Sequence, residues 1–351
     1  MSEQRDWLRT ALERLAAEQA RSADTHLLRY EFPAFPGVPF YFKDESTHPT
    51  GSLKHRLARS LFLYGLCNGQ VREGRVVVDA SSGSTAISEA YFARLLELPY
   101  VAVMARDTSP RKIAEIEALG GRCEFVDSAA QDHSHAQQLA DDLDGHFLDQ
   151  FGMAERATDW RGNNNIAESL LDQMRGEPEP TPRWIVCGAG TGGTSATIGR
   201  YLRYRGLDTR LCVADPEGAA FVEGWRSRSD DFVARGSCIE GIGRPQIEAS
   251  YCFDVVDAVE AVSDVESCAA TWLLESITGR RFGGSSGTNL IAAMRLAERM
   301  VDAGEPGPVV TLLCDRGERY SETVFDLQWL ERHGLEIAPV RSELAARLGL
   351  R

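Results

Sequence analysis

Four short stretches of this sequence gather residue types that could do chemistry. In His48–Arg56, HPTGSLKHR, a proline and a glycine set a turn, Ser52 is a good helix N-cap, and Lys54 falls in the first helical turn. The positive end of a helix dipole disfavours a cation, which suits a lysine that must act as a neutral amine. Read alone, the turn suits a surface lysine beside a cap equally well. Asp79–Ala86, DASSGSTA, offers four hydroxyls and a glycine, a donor-rich concavity for a carboxylate or phosphate. An ordinary helix cap has a similar composition. Gly188–Thr194, GAGTGGT, matches the dinucleotide fingerprint GxGxxG through Gly188, Gly190 and Gly193, with Asp215 ending the next strand. The same loop, with Thr191 and Thr194 beside Gly192 and Gly193, can instead wrap one terminal phosphate. Gly283–Asn289, GGSSGTN, is a second glycine- and hydroxyl-rich turn, for which a dinucleotide has no obvious use. Gly241–Pro245, GIGRP, either lines a ligand cleft with these turns or is a plain turn.

These turns need a scaffold, and the pattern around them supplies one. Strand-like runs at Val76–Val78, Tyr100–Met104, Cys123–Val126, Trp184–Gly188, Arg210–Asp215, Asp254–Val262 and Val309–Cys314 alternate with helical stretches. The helical stretches are Ser52–Cys67, Ser84–Leu98, Pro110–Leu119, Asn165–Met174, Thr194–Arg205, Ser267–Gly279 and Thr288–Ala303. Such alternation specifies an α/β fold of mostly parallel sheets flanked by helices, with ligands at the carboxyl ends of strands. The proline-rich Gly176–Pro182 forbids regular structure and is expected to join two lobes.

A chain of 351 residues, 43% hydrophobic and 26% charged, can bury a sizeable core. A net charge of −14 argues against nucleic acid or an anionic membrane as partner. The eight cysteines are scattered without a CxxC pair, so free thiols in a reducing, cytoplasmic setting are expected rather than disulfides or a metal site. The stretch from Met1 to Arg21 reads as an amphipathic helix with Leu8, Ala11, Leu12, Leu15 and Ala16 on one face, neither signal peptide nor membrane span.

With these turns in this order, the sequence resembles the cysteine synthase family of fold-type II pyridoxal-phosphate enzymes. The stretches that carry the resemblance are PTGSLKHR, SSGST, GTGGT, EGIG, GGSSGTN and DRGERY, spread from about Leu27 to about Leu330. The resemblance implies a two-lobed, tryptophan synthase β-like fold. Residues 1–45 with 166–351 would form the larger cofactor-binding lobe, and 46–165 the smaller mobile lobe. It implies pyridoxal 5′-phosphate as cofactor, with Lys54 as its Schiff-base lysine and as the group that moves protons at the substrate α-carbon. Gly190, Thr191, Gly192, Gly193 and Thr194 would hold the cofactor phosphate. Ser82, Gly83, Ser84 and Thr85 would bind the substrate carboxylate, joined by Gln150. Ser285 would hydrogen-bond the pyridine nitrogen, with Asp315 its competitor.

Two departures from the family pattern matter. Ser84 stands where cysteine synthases usually carry asparagine, a residue that also contacts the cofactor. His55 stands where they carry aspartate; one step along a helix it points about 100° from Lys54, which suits a structural role. The sequence is accordingly similar to the L-cysteine desulfhydrase branch at least as much as to the synthases. The expected activity is elimination from a small L-amino acid, L-cysteine giving sulfide, pyruvate and ammonia. Two alternatives stand beside it: replacement on an O-activated serine such as O-acetylserine, and an NAD-dependent oxidoreductase built on Gly188–Asp215. The resemblance also implies a homodimer.

Overall fold

A computed structural model of the chain describes residues 2–22, 24–128 and 131–350. Met1 and Arg351, the outer ends of the expected lobes, lie outside them. Ten strands occur among the described residues: β1 (His26–Tyr30), β2 (Phe40–Asp44), β3 (Val77–Ala80), β4 (Tyr100–Ala105), β5 (Arg122–Val126), β6 (His146–Phe147), β7 (Trp184–Gly188), β8 (Arg210–Pro216), β9 (Ala258–Val262) and β10 (Val309–Leu313). The chain divides into two compact units, one holding the residues up to Asp24 with His48–Thr158, the other Thr25–Thr47 with the residues from Asp159 on.

The first unit is built on a four-stranded sheet of order β5-β4-β3-β6, with every pair parallel. Its inner strands β3 and β4 are buried on both faces because helices cover both. Val77, Tyr100, Ala102 and Met104 point into one core, while Val78, Val101 and Val103 point into another. This two-residue alternation is the pleat of a strand. The helix Ser2–Ser22 sets Ala11 and Leu15 into the first core beside Leu61 and Phe62 of the helix Lys54–Cys67. The N-terminal residues therefore group with Lys54, not with the larger unit as the sequence led us to expect.

The second unit holds a six-stranded sheet of order β1-β2-β10-β7-β8-β9, antiparallel only at β1–β2. Phe40, Phe42, Val186, Val309 and Leu313 pack with the helices Asp264–Thr278 and Gly284–Ala303 in its core. Phe40 and Phe42 are fully buried, each contributing roughly 2–3 kcal/mol of hydrophobic stabilisation. Gly176–Pro182 lies inside this unit rather than between lobes. It turns the chain from the helix Ile166–Met174 into β7, and its Glu177 accepts a 2.9 Å hydrogen bond from the Tyr41 hydroxyl of β2. No described helix is long and apolar enough to cross a membrane.

The expected helix at Thr288 starts four residues earlier, so Gly284, Ser285, Ser286 and Gly287 form its first turn. The small residues are there for close packing, since a Cβ on Gly287 would overlap the Ser267 carbonyl of the neighbouring helix. Tertiary packing here overrides the poor helix propensity of glycine.

Candidate active site

In the first unit the Lys54 turn, the donor loop and Gln150 share one end of the sheet. Gly51 takes φ +70°, a left-handed conformation natural to glycine, and its N–H donates to the His48 carbonyl at 2.8 Å. Ser52 Oγ accepts from the Lys54 N–H at 3.2 Å, and the helix begins at Lys54 itself. The turn is tied to the helix Ser84–Leu95 by Thr50 and Ser88, whose hydroxyl oxygens lie 2.9 Å apart.

The donor loop follows β3. Ser82 is exposed, Gly83 and Ser84 are half-buried, and Thr85 is buried. Ser81 Oγ accepts from the Ala86 N–H at 3.2 Å and shapes the loop from within. A Cβ on Gly83 would meet no protein atom within 4 Å, so protein packing does not demand glycine there. Gln150 follows β6, the parallel neighbour of β3, and donates from Nε2 to the Ala80 carbonyl at 2.8 Å. That bond uses one of two amide hydrogens and leaves the second for a ligand. Asp149, at φ 52°, caps the Gln150 helix by accepting from the Gly152 N–H at 3.0 Å.

Beneath the loop lies a pair that sequence reading missed. Asp79, in β3, and Glu89, in the helix above, are both fully buried and interact carboxyl to carboxyl, and Asp79 Oδ2 and Glu89 Oε1 take no other hydrogen bond. Burial drives Asp79 up to about 7. Burial and the Asp79 charge drive Glu89 far above the usual carboxylate range, while the Lys54 charge pulls it down. Nothing in a linear pattern joins these two acids; only the strand–helix packing does. His55 is buried against Glu18, with Nε2 3.2 Å from Oε1.

In the second unit the Gly188–Thr194 loop leaves β7 and opens the helix Gly193–Tyr204. Gly192 has φ +87°, and a Cβ there would lie 2.6 Å from Tyr251 Cα. Both facts require glycine. Thr191 Oγ1 accepts from the Gly193 N–H at 3.3 Å, while Gly190 and Thr194 stay partly exposed. The helix start turns N–H groups lacking intrahelical partners outward, a seat for an anion. The Gly241–Pro245 stretch meets this loop, because a Cβ on Gly188 would lie 2.9 Å from Ile242.

Ser285 sits at the carboxyl end of β10, the parallel neighbour of β7, so it shares the sheet end that carries the glycine loop. Ser286 Oγ accepts from the Cys314 N–H at 2.9 Å and fixes that corner. Asp315, the alternative to Ser285, accepts from the Tyr320 hydroxyl and lies against Gly283. Asp215 is fully buried and accepts from the Val222 N–H at 3.1 Å; burial raises it to about 7. So enclosed, Asp215 hydrogen-bonds the start of the helix Phe221–Ser227 and is not presented at the surface, as the NAD reading needed.

Comparison with known proteins agrees with this chemistry. Residues 21–315 match a family model described as pyridoxal-phosphate dependent enzyme. The chain is 56% identical over 339 residues to a Mycobacterium tuberculosis protein named L-cysteine desulfhydrase, covering 95% of this chain and 92% of that protein. It is 25% identical to a cysteine synthase of Dictyostelium discoideum over 86% of this chain and 82% of that one. Among solved structures, O-ureido-L-serine synthase superposes with a TM-score of 0.76 at 25% identity, over 86% of this chain and 92% of that one. An O-acetylserine dependent cystathionine β-synthase from Helicobacter pylori gives 0.75 at 25% identity, over 87% and 97%.

Proposed function

This chain belongs to the pyridoxal-phosphate dependent enzymes, in their fold-type II class, and from that premise we propose that it is an L-cysteine desulfhydrase. The 56% identity across nearly the whole chain carries this reading. The donor set of the Gly190–Thr194 loop fits the cofactor phosphate: a left-handed glycine, two threonines and a helix start. Ser285 is the partner for the pyridine nitrogen, a choice supported by the engagement of Asp315 with Tyr320. When bound, the cofactor supplies the electron sink for the pair left at the substrate α-carbon.

The chain's own residues do the rest. Ser82–Thr85 and Gln150 take the substrate carboxylate and orient the α-carbon. Lys54 Nζ holds the cofactor and, once released, removes the α-proton as general base. The Cβ–S bond then breaks and sulfide leaves. L-cysteine and one water become hydrogen sulfide, pyruvate and ammonia. A homodimer and a cytoplasmic setting complete the reading, the latter supported by eight free thiols. Purified enzyme given L-cysteine should release sulfide and pyruvate in equal amounts. If instead O-acetylserine plus sulfide is consumed faster, with cysteine accumulating, the enzyme is a synthase and the proposal fails.

A further inference from the structure

Within the first unit, an unbroken hydrogen-bonded chain runs from the buried Glu18–His55 contact to the donor loop. Glu18 and His55 are 2% and 4% exposed, and His55 Nδ1 lies 3.2 Å from Thr50 Oγ1. Thr50 Oγ1 lies 2.9 Å from Ser88 Oγ, and Ser88 donates to the Ser84 carbonyl at 2.8 Å. The chain has a direction. A serine hydroxyl carries one proton and a carbonyl only accepts, so Ser88 donates to Ser84 and accepts from Thr50. Thr50 must then accept from His55 Nδ1–H. On the other side Nε2 faces Glu18. Burial alone would raise that carboxyl, but hydrogen bonds from His55, Ser22 and Tyr91 bring it down to about 2. Ser22 and Tyr91 donate to the same Oε1 that His55 Nε2 faces, and for His55 to donate to Glu18 and Thr50 together takes both imidazole protons.

We propose that His55 is a positioning residue: through Thr50 and Ser88 it fixes the Ser84 carbonyl, and with it the loop that takes the substrate carboxylate. This rests on the reading of Ser82–Thr85 as the carboxylate loop. Four titratable groups face the imidazole: Glu18 from the N-terminal helix, His48 stacked at 4.8 Å, Arg59 on its own helix, and Tyr91 at 5.4 Å. Burial pushes its pKa below the ordinary histidine value, with His48 and Arg59 acting in the same sense and Glu18 opposing. The chain is complete at pH below the lowered His55 titration. As pH rises, one imidazole proton is lost; the carboxylate, the stronger acceptor, draws the remaining one to Nε2, and the Nδ1 donation to Thr50 is lost.

Steady-state kinetics of the holoenzyme test this with Thr50→Val, Ser88→Ala and Thr50→Ser. Wild-type KM for L-cysteine should rise as pH climbs through the His55 titration. Valine at 50 and alanine at 88 should raise KM by about tenfold below that titration, change kcat less than about twofold, and abolish that pH step. Thr50→Ser, which keeps the hydroxyl, should restore both. Wild-type KM and pH profile in Ser88→Ala, a substitution easily borne by a helix, would overturn the proposal. So would a His55 imidazole that stays neutral in nitrogen NMR at every pH where the enzyme is folded. Ser82→Ala separates the two readings: an unchanged KM there rejects the carboxylate loop itself, whatever His55 does.

Discussion

Asp79 and Glu89 meet carboxyl to carboxyl where no solvent reaches, one in β3 and the other in the helix that carries the donor loop. Two such groups cannot both ionise, so the pair holds a proton that one carboxyl donates to the other. Its outer oxygens are used as well. Tyr100 donates to Glu89 Oε2 at 2.7 Å, and the Gln150 N–H to Asp79 Oδ1 at 3.4 Å. The shared proton thus ties together the strand end, the loop helix and Gln150.

The pair gives stability a pH dependence of definite sign. Both folded pKa values are raised, so the folded state binds an extra proton once the unfolded acids ionise near their ordinary values. Stability is fully present below that point and falls as pH rises toward the folded values. Glu89→Gln keeps the shape and a donor but removes one ionisation. Denaturant melts between pH 5 and 7 should show the variant gaining on wild type by on the order of 1 kcal/mol per pH unit. Parallel curves would mean that the pair does not hold the proton.

Gly192 answers two constraints at once, its left-handed φ and its approach to Tyr251. Gly192→Ala should cost about 1–3 kcal/mol from backbone strain and displace the loop proposed to seat the phosphate. The expected outcome is protein purified with little bound cofactor and a lowered Tm. Full cofactor absorbance in this variant would show that the loop is not the phosphate seat.

Much of this was legible in the sequence, and what was not has physical reasons. The buried parallel strands stood out as short β-branched runs, and two of the four small-residue turns, those after β3 and β7, stood at their carboxyl ends. β2, FYFKD, was missed because Lys43 and Asp44 look like surface residues, yet both are fully buried. Lys43 Nζ donates to the Thr25 carbonyl at 3.0 Å and to Gln173 Oε1 at 2.7 Å. Glu18, Ser88 and Glu89 were invisible as site residues, because each acts through a partner distant in sequence. GGSSGTN was read as a turn because glycine disfavours helices, whereas its Gly287 is a packing requirement. Gly287→Ala should therefore destabilise by about 1–3 kcal/mol despite alanine's better helix propensity, measured by thermal unfolding.

On the proposed reading, turnover depends on Lys54. Lys54→Ala should remove the lysine-bound cofactor absorbance and lower kcat by at least about 10²–10⁴, the contribution typical of a positioned acid–base group. Borohydride reduction of wild type followed by peptide mass analysis should place the cofactor on Lys54. A label on any other lysine would refute the assignment.

Ser84 is where elimination and replacement are expected to part. It heads the loop helix, half-buried, with its carbonyl held by Ser88. Asparagine, the residue that the resemblance expects in a synthase, would add an amide with two donors and an acceptor at the same point. An enzyme divides its substrates by differential stabilisation of transition states, and one such hydrogen-bonding group is worth about tenfold or more. Ser84→Asn should therefore raise replacement on O-acetylserine relative to elimination from L-cysteine by about tenfold. The ratio of cysteine formed to pyruvate formed in parallel assays measures it. An unchanged ratio would shift the choice between the two reactions away from Ser84 and onto water access at the substrate.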